Sequence, residues 1–240
     1  MKISSEVFFE FLDIYEKRPI SNNLWGMRSH GMFFLWYLLK QIQPDLVIES
    51  GVYRGQSTWM IAQAAPDAKI IAIDPDLTQR FYVSKNATYR TEDFSLLSIE
   101  QDFYKTKAAF FDDHQNAYER VMQSTKQNIQ HLIFDDNYPP GYDDCAGNPH
   151  LTLRDCFEMN QHQEKAAALK KVIKQYCIMP QIIGKTAGFL ALGGQVSDIP
   201  AIWGSLEEIE PHYRDKMKVF YDDCYCYRWL TYVELQIKVL

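Results

Sequence analysis

The sequence predicts an α/β fold, a doubly wound and mostly parallel sheet of about seven strands. Two observations carry this. Short apolar runs, each of the length a buried parallel strand needs, recur at Leu46–Ser50, Lys69–Ile73, Ala108–Phe111 and Leu132–Phe134. The segments between them are long enough to cross over as helices, which is the pattern that covers both faces of a parallel sheet.

Taken in order, Ser4 or Ser5 can cap a first helix whose Phe8, Phe11, Leu12 and Tyr15 recur at helical spacing. A second helix near Met32 to Gln41 is apolar nearly all round, and Pro44 stops it. After the strand at 46–50 come a helix from Ser57 to Ala65, the strand at 69–73, a weaker helix, and a strand near Thr88 to Thr91. The strand at 108–111 leads to a helix with Tyr118, Val121, Met122 and Thr125 on one face, then to the strand at 132–134. Between Tyr138 and Pro149 the richness in Pro, Gly, Asp and Asn reads as a loop. Leu169, Val172, Ile173 and Tyr176 predict a helix over Glu164 to Tyr176, and Lys218 to Tyr221 with Tyr225 to Val239 predict a closing antiparallel hairpin. The whole reads as one domain over residues 1–240, with a helical cap over 1–43 and the core over 44–240.

With 31 acidic and 25 basic side chains among 240 residues, the formal charge of -6 argues against a broad nucleic-acid footprint and favours a small-molecule acceptor. The stretch Gly31 to Leu39 covers about half of the ~20 residues a bilayer span needs. No membrane association is expected. The first twenty residues mix charges with apolar groups, unlike a signal peptide. Five cysteines form no CxxC pair, so reduced thiols in the cytoplasm are expected, with Cys224 and Cys226 on one face of a strand. The apolar second helix either caps its own active site or pairs with a second copy in a homodimer.

In an open α/β sheet ligands bind beyond the carboxyl ends of the strands. Past the first strand, Gly51 and Gly55 frame a tight turn whose amides can approach a ligand, and Ser57 can cap the next helix. Asp74 follows the second strand, about 20 residues on, where an acid accepts hydrogen bonds from ribose hydroxyls. The spacing is G-x-x-x-G behind Glu49, not the G-x-G-x-x-G that seats a pyrophosphate. A nucleoside cofactor without a pyrophosphate fits better. Acids also follow two further strands, as Asp112-Asp113-His114 and Asp135-Asp136-Asn137, where they could converge on a hard cation.

Glu49-x-Gly51-x-x-x-Gly55-x-Ser57 followed by Ile73-Asp74 resembles the class I S-adenosylmethionine-dependent methyltransferases, which are Rossmann-like, and in particular small-molecule O-methyltransferases of the catechol and macrocin kinds. The resemblance runs from about Pro44 to Gly141. It implies that Glu49 and the turn Gly51, Tyr53, Gly55 and Ser57 line the methionine part of the cofactor, with Asp74 on the ribose and Asp93 beside the adenine. It implies magnesium held by Asp112, Asp136 and Asn137, with Asp135 and Asp113 as the substitutes one register away, and Asp112 between cofactor and acceptor. The lysine base of the catechol type is missing, because Gln115 or Asn116 stands at its place. His114, an imidazole next to the acids and so of the type suited to general-base work, is the base expected instead. Tyr138 and Tyr142 are candidates for acceptor binding. The competing expectations are a metal-dependent hydrolase on a similar sheet and a cofactor-binding module without catalysis.

Overall fold

The computed structural model describes residues 3–99, 103–141, 150–183, 199–205, 208–209, 211–223 and 229–236. Cys145, Tyr142, Cys224 and Cys226, and with the last two the strand reading of that pair, lie outside the described residues.

The chain opens with α1 (Ser5–Tyr15) and α2 (Ser29–Ile42). Ten residues of α2 are buried, and it ends where Gln43 takes a left-handed conformation (φ 49°) just before Pro44. The sheet is built from β1 (Leu46–Ser50), β2 (Lys69–Ile73), β3 (Ala87–Arg90), β4 (Lys107–Phe111), β5 (His131–Phe134), β6 (Ile173–Ile178) and β7 (Thr231–Leu235). Their order is β3-β2-β1-β4-β5-β7-β6. The first five are parallel, and β7 runs antiparallel between β5 and β6. Helices α3 (Gln56–Ala64), α4 (Ala117–Lys126), α5 (Leu153–Glu158), α6 (Gln163–Val172) and α7 (Arg214–Asp222) complete the layers.

Strand alternation sorts the core into two. Val47, Ala108, Phe110 and Ile133 face the layer of α1, α2, α3 and α7. Leu46, Ile48, Ala109, Phe111, Leu132 and Phe134 face α4, α5 and α6. Burying Phe8, Phe11, Phe33, Phe34 and Trp36 completely ties α1 and α2 into the first core, each side chain contributing on the order of 2 kcal/mol in transfer free energy. No helix among the described residues is long and apolar enough to cross a membrane.

Four expectations are corrected. The segment after β2 forms a short 3-10 turn at Leu77–Gln79 in place of the weaker helix. The helix expected to reach Tyr176 stops at Val172, and Ile173–Ile178 becomes β6 without an intervening loop. Ile173, Tyr176, Cys177 and Ile178 are β-branched, aromatic or small apolar residues, and pairing with β7 outweighs the helical spacing that Ile173 and Tyr176 also satisfy. Lys218 to Tyr221, expected as a strand, lies in α7, where Met217 and Phe220 are buried three residues apart and Phe220 meets Phe8 edge-on at 5.3 Å. The partner of the closing strand is therefore β6, more than fifty residues upstream, and not an adjacent hairpin arm. On α4 Val121 is buried as expected, but its companions are Ala117, Arg120 and Ser124 in place of Tyr118, Met122 and Thr125. The reason is Arg120, whose charge is neutralised inside the fold.

Candidate active site

Strand order reverses between β1 and β4, so the crevice outside their carboxyl ends is the topological switch point. A cavity of about 490 Å³ opens there. Gly51 and Tyr53 reach it from the β1 turn, Asp74 from β2, Asp93 from the segment after β3, and Asp112 and His114 from β4.

The turn is held by two backbone features. Gly51 has φ 97°, and a Cβ there would run into the carbonyl oxygen of Asp112, whose amide donates to Ser50 O at 2.8 Å. Gly55 has φ 88°, and a Cβ would stand 2.5 Å from Tyr82 O. The Asp74 carboxylate accepts Val52 N at 2.9 Å and Tyr53 N at 2.8 Å on one oxygen, and Asp76 N at 2.9 Å on the other. Of roughly four acceptor sites on a carboxylate, three are taken. Asp74 thus clamps the turn first, and keeps room for one further donor.

Asp93 caps the next 3-10 turn by accepting Ser95 N, and receives two hydrogen bonds from Arg120, at 3.1 and 2.7 Å. Hydrogen bonding to Arg120, outweighing partial burial, holds the Asp93 carboxyl well below the usual carboxylate range. Arg120 also donates to Asp113 at 2.9 Å, and Asp113 accepts Ser50 Oγ at 2.6 Å. One buried guanidinium therefore ties the ends of β1 and β4 to the segment after β3.

Asp112, His114 and Asp136 bring one ligand-type atom each to within 4.8 Å of one another. His114 Nδ1 lies 3.5 Å from Asp136 Oδ2. Both residues have positive φ, 51° and 54°, a conformation that non-glycine residues adopt at a cost.

Several expected site residues do not meet in the cavity. Asn137 does not line the large cavity but a small neighbouring pocket, together with Asp112, His114 and Asp136; its amide nitrogen donates to Tyr176 Oη at 2.9 Å and Thr231 Oγ1 at 2.7 Å, and its oxygen accepts Arg154 N at 3.1 Å. Glu49, fully buried, accepts Thr58 Oγ1 at 2.6 Å and does not line the cavity; its other oxygen has no hydrogen-bond partner. Gly55 and Ser57 shape the turn and the start of α3 without lining the cavity either. Ser57 is the second residue of that helix, two past the N-cap Gly55, and not its cap. Of the substitutes, Asp113 belongs to the Arg120 cluster, and Asp135 is buried beside the acidic group. Tyr138 is 8% exposed and packs on Trp229 at 5.5 Å, away from the cavity.

Sequence reasoning missed Arg120, Trp25 and His150. Arg120 had a signal, a cation at helical spacing from the small residues Ala117 and Ser124 in a helix that follows acid-bearing strand ends. Trp25, 70% exposed with φ 72°, stands at the cavity rim, and His150 stands edge-on to His114; no local spacing marks either.

Replacing Arg120 by Met leaves Asp93 and Asp113 without their cation. Because about half of the Asp93 side chain is exposed, the expected loss at pH 7 is about 1–2 kcal/mol, below that of a fully buried pair. The Asp93 share of this stabilisation is present above the unfolded carboxyl's pKa of ~3.9 and is lost as pH falls further toward the folded value. Urea denaturation of both proteins at pH 7 and pH 3 should show the gap narrowing at the lower pH.

No protein-family model matches the chain, and no curated protein does. Solved structures with a similar fold include CmcI described with Mg and SAM, 17% identical over 62% of this chain with a TM-score of 0.44. They also include an O-methyltransferase from Bacillus cereus in complex with SAH, 19% identical over 74% of this chain and 86% of that one, TM-score 0.46. A third is the tRNA (m1A58) methyltransferase TrmI from Aquifex aeolicus, 8% identical over 86% of this chain and 68% of that one, TM-score 0.47. The chain spans 63% of the length of the CmcI structure.

Proposed function

We propose that this chain transfers a methyl group from S-adenosylmethionine to a hydroxyl oxygen of a small molecule. The observation that carries the proposal is the single cavity of about 490 Å³ onto which the Gly51 turn, Asp74, Asp93, Asp112 and His114 open together. Its size suits a nucleoside-bearing ligand. Its lining holds Asp74, Glu92, Asp93, Asp112 and Asp113, while its buried guanidinium, Arg120, is already tied to two of these. Such a surface favours a cationic sulfonium and ammonium over a pyrophosphate.

In this reading the bare backbone at Gly51 lets the methionine part lie against the turn, Asp74 offers its one remaining acceptor site to a ribose hydroxyl, and the Asp93–Arg120 pair forms the wall at the adenine end. Asp112 sits between donor and acceptor. Asp112, His114 and Asp136 present two carboxylates and an imidazole, a set that fits a divalent cation. Such an ion, when bound, favours ionisation of a hydroxyl beside it. An imidazole whose lone pair ligates a metal cannot also take a proton, so His114 serves as a ligand here and not as the general base.

Calorimetric titration tests the proposal. S-adenosylmethionine and its demethylated product should both bind, and Asp74→Ala should weaken both by about tenfold or more, since it releases two turn amides as well as a ribose contact. A metal-dependent hydrolase on the same sheet would bind neither, and that result would sink the assignment.

A further inference from the structure

Asp223, just past the end of α7, is 4% exposed, and a carboxylate so far from water needs cations or donors around it. Its partners come from α1 and from the connection between α1 and α2. Tyr15 Oη, in the last turn of α1, donates to it. Arg18 Nε, just after that helix, lies 4.0 Å away, and Arg28 Nη1, just before α2, lies 3.8 Å away. Arg18 Nε is buried and makes no hydrogen bond, so the Asp223 charge is what offsets its desolvation. Beside this group Ser29 Oγ donates to Phe220 O at 2.9 Å. The end of α7 thus fastens both ends of the connection over residues 16–28.

The middle of that connection borders the large cavity. Trp25 and Gly26 line it, and Trp25 keeps a φ of 72°, which a bulky residue adopts only where its surroundings over-determine it. The connection is also tied to the turn after β1: Arg54 Nη1 donates to Asn22 O at 2.9 Å, and Gln56 Nε2 to Ile20 O at 3.2 Å. It is therefore held from two sides, by α7 at its ends and by the Gly51 turn and the start of α3 in its middle. We propose that Asp223 is a positioning residue for the large cavity: by holding Arg18 and Arg28 it keeps Trp25 and Gly26 in the cavity wall, and the bonds from Arg54 and Gln56 couple this connection to cofactor occupancy. The inference rests on the reading of the cavity as the S-adenosylmethionine site. It gives α7, none of whose described residues lines the cavity, a part in retaining the ligand.

The test uses the full chain, with the demethylated cofactor as probe, and needs no methyl acceptor. Asp223→Asn keeps the size of the side chain and an acceptor for Tyr15 while removing the charge. Stopped-flow displacement should show the probe leaving this variant faster than wild type by about tenfold, a factor within the range of coupled sites, with association little changed. Arg28→Gln, which removes one of the two cations, should raise the rate by a smaller factor and serves where Asp223→Asn does not fold. In the unliganded variants hydrogen exchange should be faster at the amides of Arg18 and Gly26, which bond Tyr15 O and Asn23 O, and the protection that the probe confers on residues 16–28 in wild type should be lost. Met217→Ala, a buried residue of the same helix outside this group, controls for general destabilisation and should keep the wild-type dissociation rate while circular dichroism shows it folded. An unchanged dissociation rate or unchanged exchange over residues 16–28 in both charge variants, or an equal rise in Met217→Ala, would each overturn the proposal. A wild-type protein that binds no cofactor refutes the methyl-transfer assignment and this inference with it, whereas one that binds it and releases it no faster from the charge variants refutes this inference alone.

Discussion

Gly51→Ala is expected to destabilise the protein by on the order of 3 kcal/mol and to reduce S-adenosylmethionine binding by two orders of magnitude or more. Two terms add. An L-residue at φ 97° costs about 1–2 kcal/mol, and the new Cβ meets the Asp112 carbonyl, a backbone atom with no flexible side chain to yield. Relief requires β1 and β4 to separate at their carboxyl ends. That movement breaks the Asp112 amide bond to Ser50 and disturbs the Ser50–Asp113 contact, so one methyl group deforms the donor side and the acidic side together. Gly141→Ala is the control: its φ is 85°, but nothing stands within 4 Å of the added Cβ. It should lose only the conformational term. Urea denaturation and calorimetry on both variants separate strain from collision. Equal losses in the two would mean that close approach at Gly51 does not shape the site.

The parts of this architecture that the sequence reveals are those governed by local rules. β1 and β2 fall on their predicted residues because a five-residue apolar run bounded by turn residues has few other uses in a chain of this composition. Gly51, Asp74, Asp93 and Asp112 can be located because strand ends in such a sheet necessarily face one crevice. What escapes is decided by distant partners. Ile173 to Ile178 is compatible with helix or strand, and β7, about fifty residues later, settles it. Asn137 reads as a ligand from its neighbours in sequence; that its amide nitrogen is fixed by Tyr176 and Thr231 depends on strands far along the chain. Glu49 reads as a cofactor contact from its place before the turn, yet Thr58, one helical turn into α3, takes its carboxylate. His150 lies beside His114 and Asp136 with no local spacing to announce it. Arg120 looks like a polar interruption in an amphipathic helix until Asp93 and Asp113 are seen around it.

Glu49→Gln should remove a pH dependence of about 3 kcal/mol from the stability of the protein. Burial, the largest cause, and the nearby Asp74 charge raise the Glu49 carboxyl from 4.5 to about 7, against the hydroxyls of Ser57 and Thr58. At about 1.4 kcal/mol per pH unit, that displacement corresponds to about 3 kcal/mol. The sign follows from which state holds the proton. Between pH 4.5 and 7 the folded protein binds it and the unfolded chain does not, so stability falls as pH rises through this window and levels off above it. His30 works the other way. Burial lowers it to about 3, so its contribution grows as pH rises from 3 to 6.5 and partly masks Glu49 in the wild-type curve. Subtracting the two curves cancels His30, because the variant retains it. Urea denaturation at pH 5 and pH 8 should therefore show Glu49→Gln gaining on wild type by about 3 kcal/mol between the two. A constant difference would mean that Glu49 is ionised throughout and that a positive group compensates it. The same variant bears on the cofactor as well: with Glu49 off the cavity lining, affinity for the neutral thioether product should be nearly unchanged. A loss confined to the sulfonium would make the buried carboxylate a long-range electrostatic partner of the transferred methyl's sulfur.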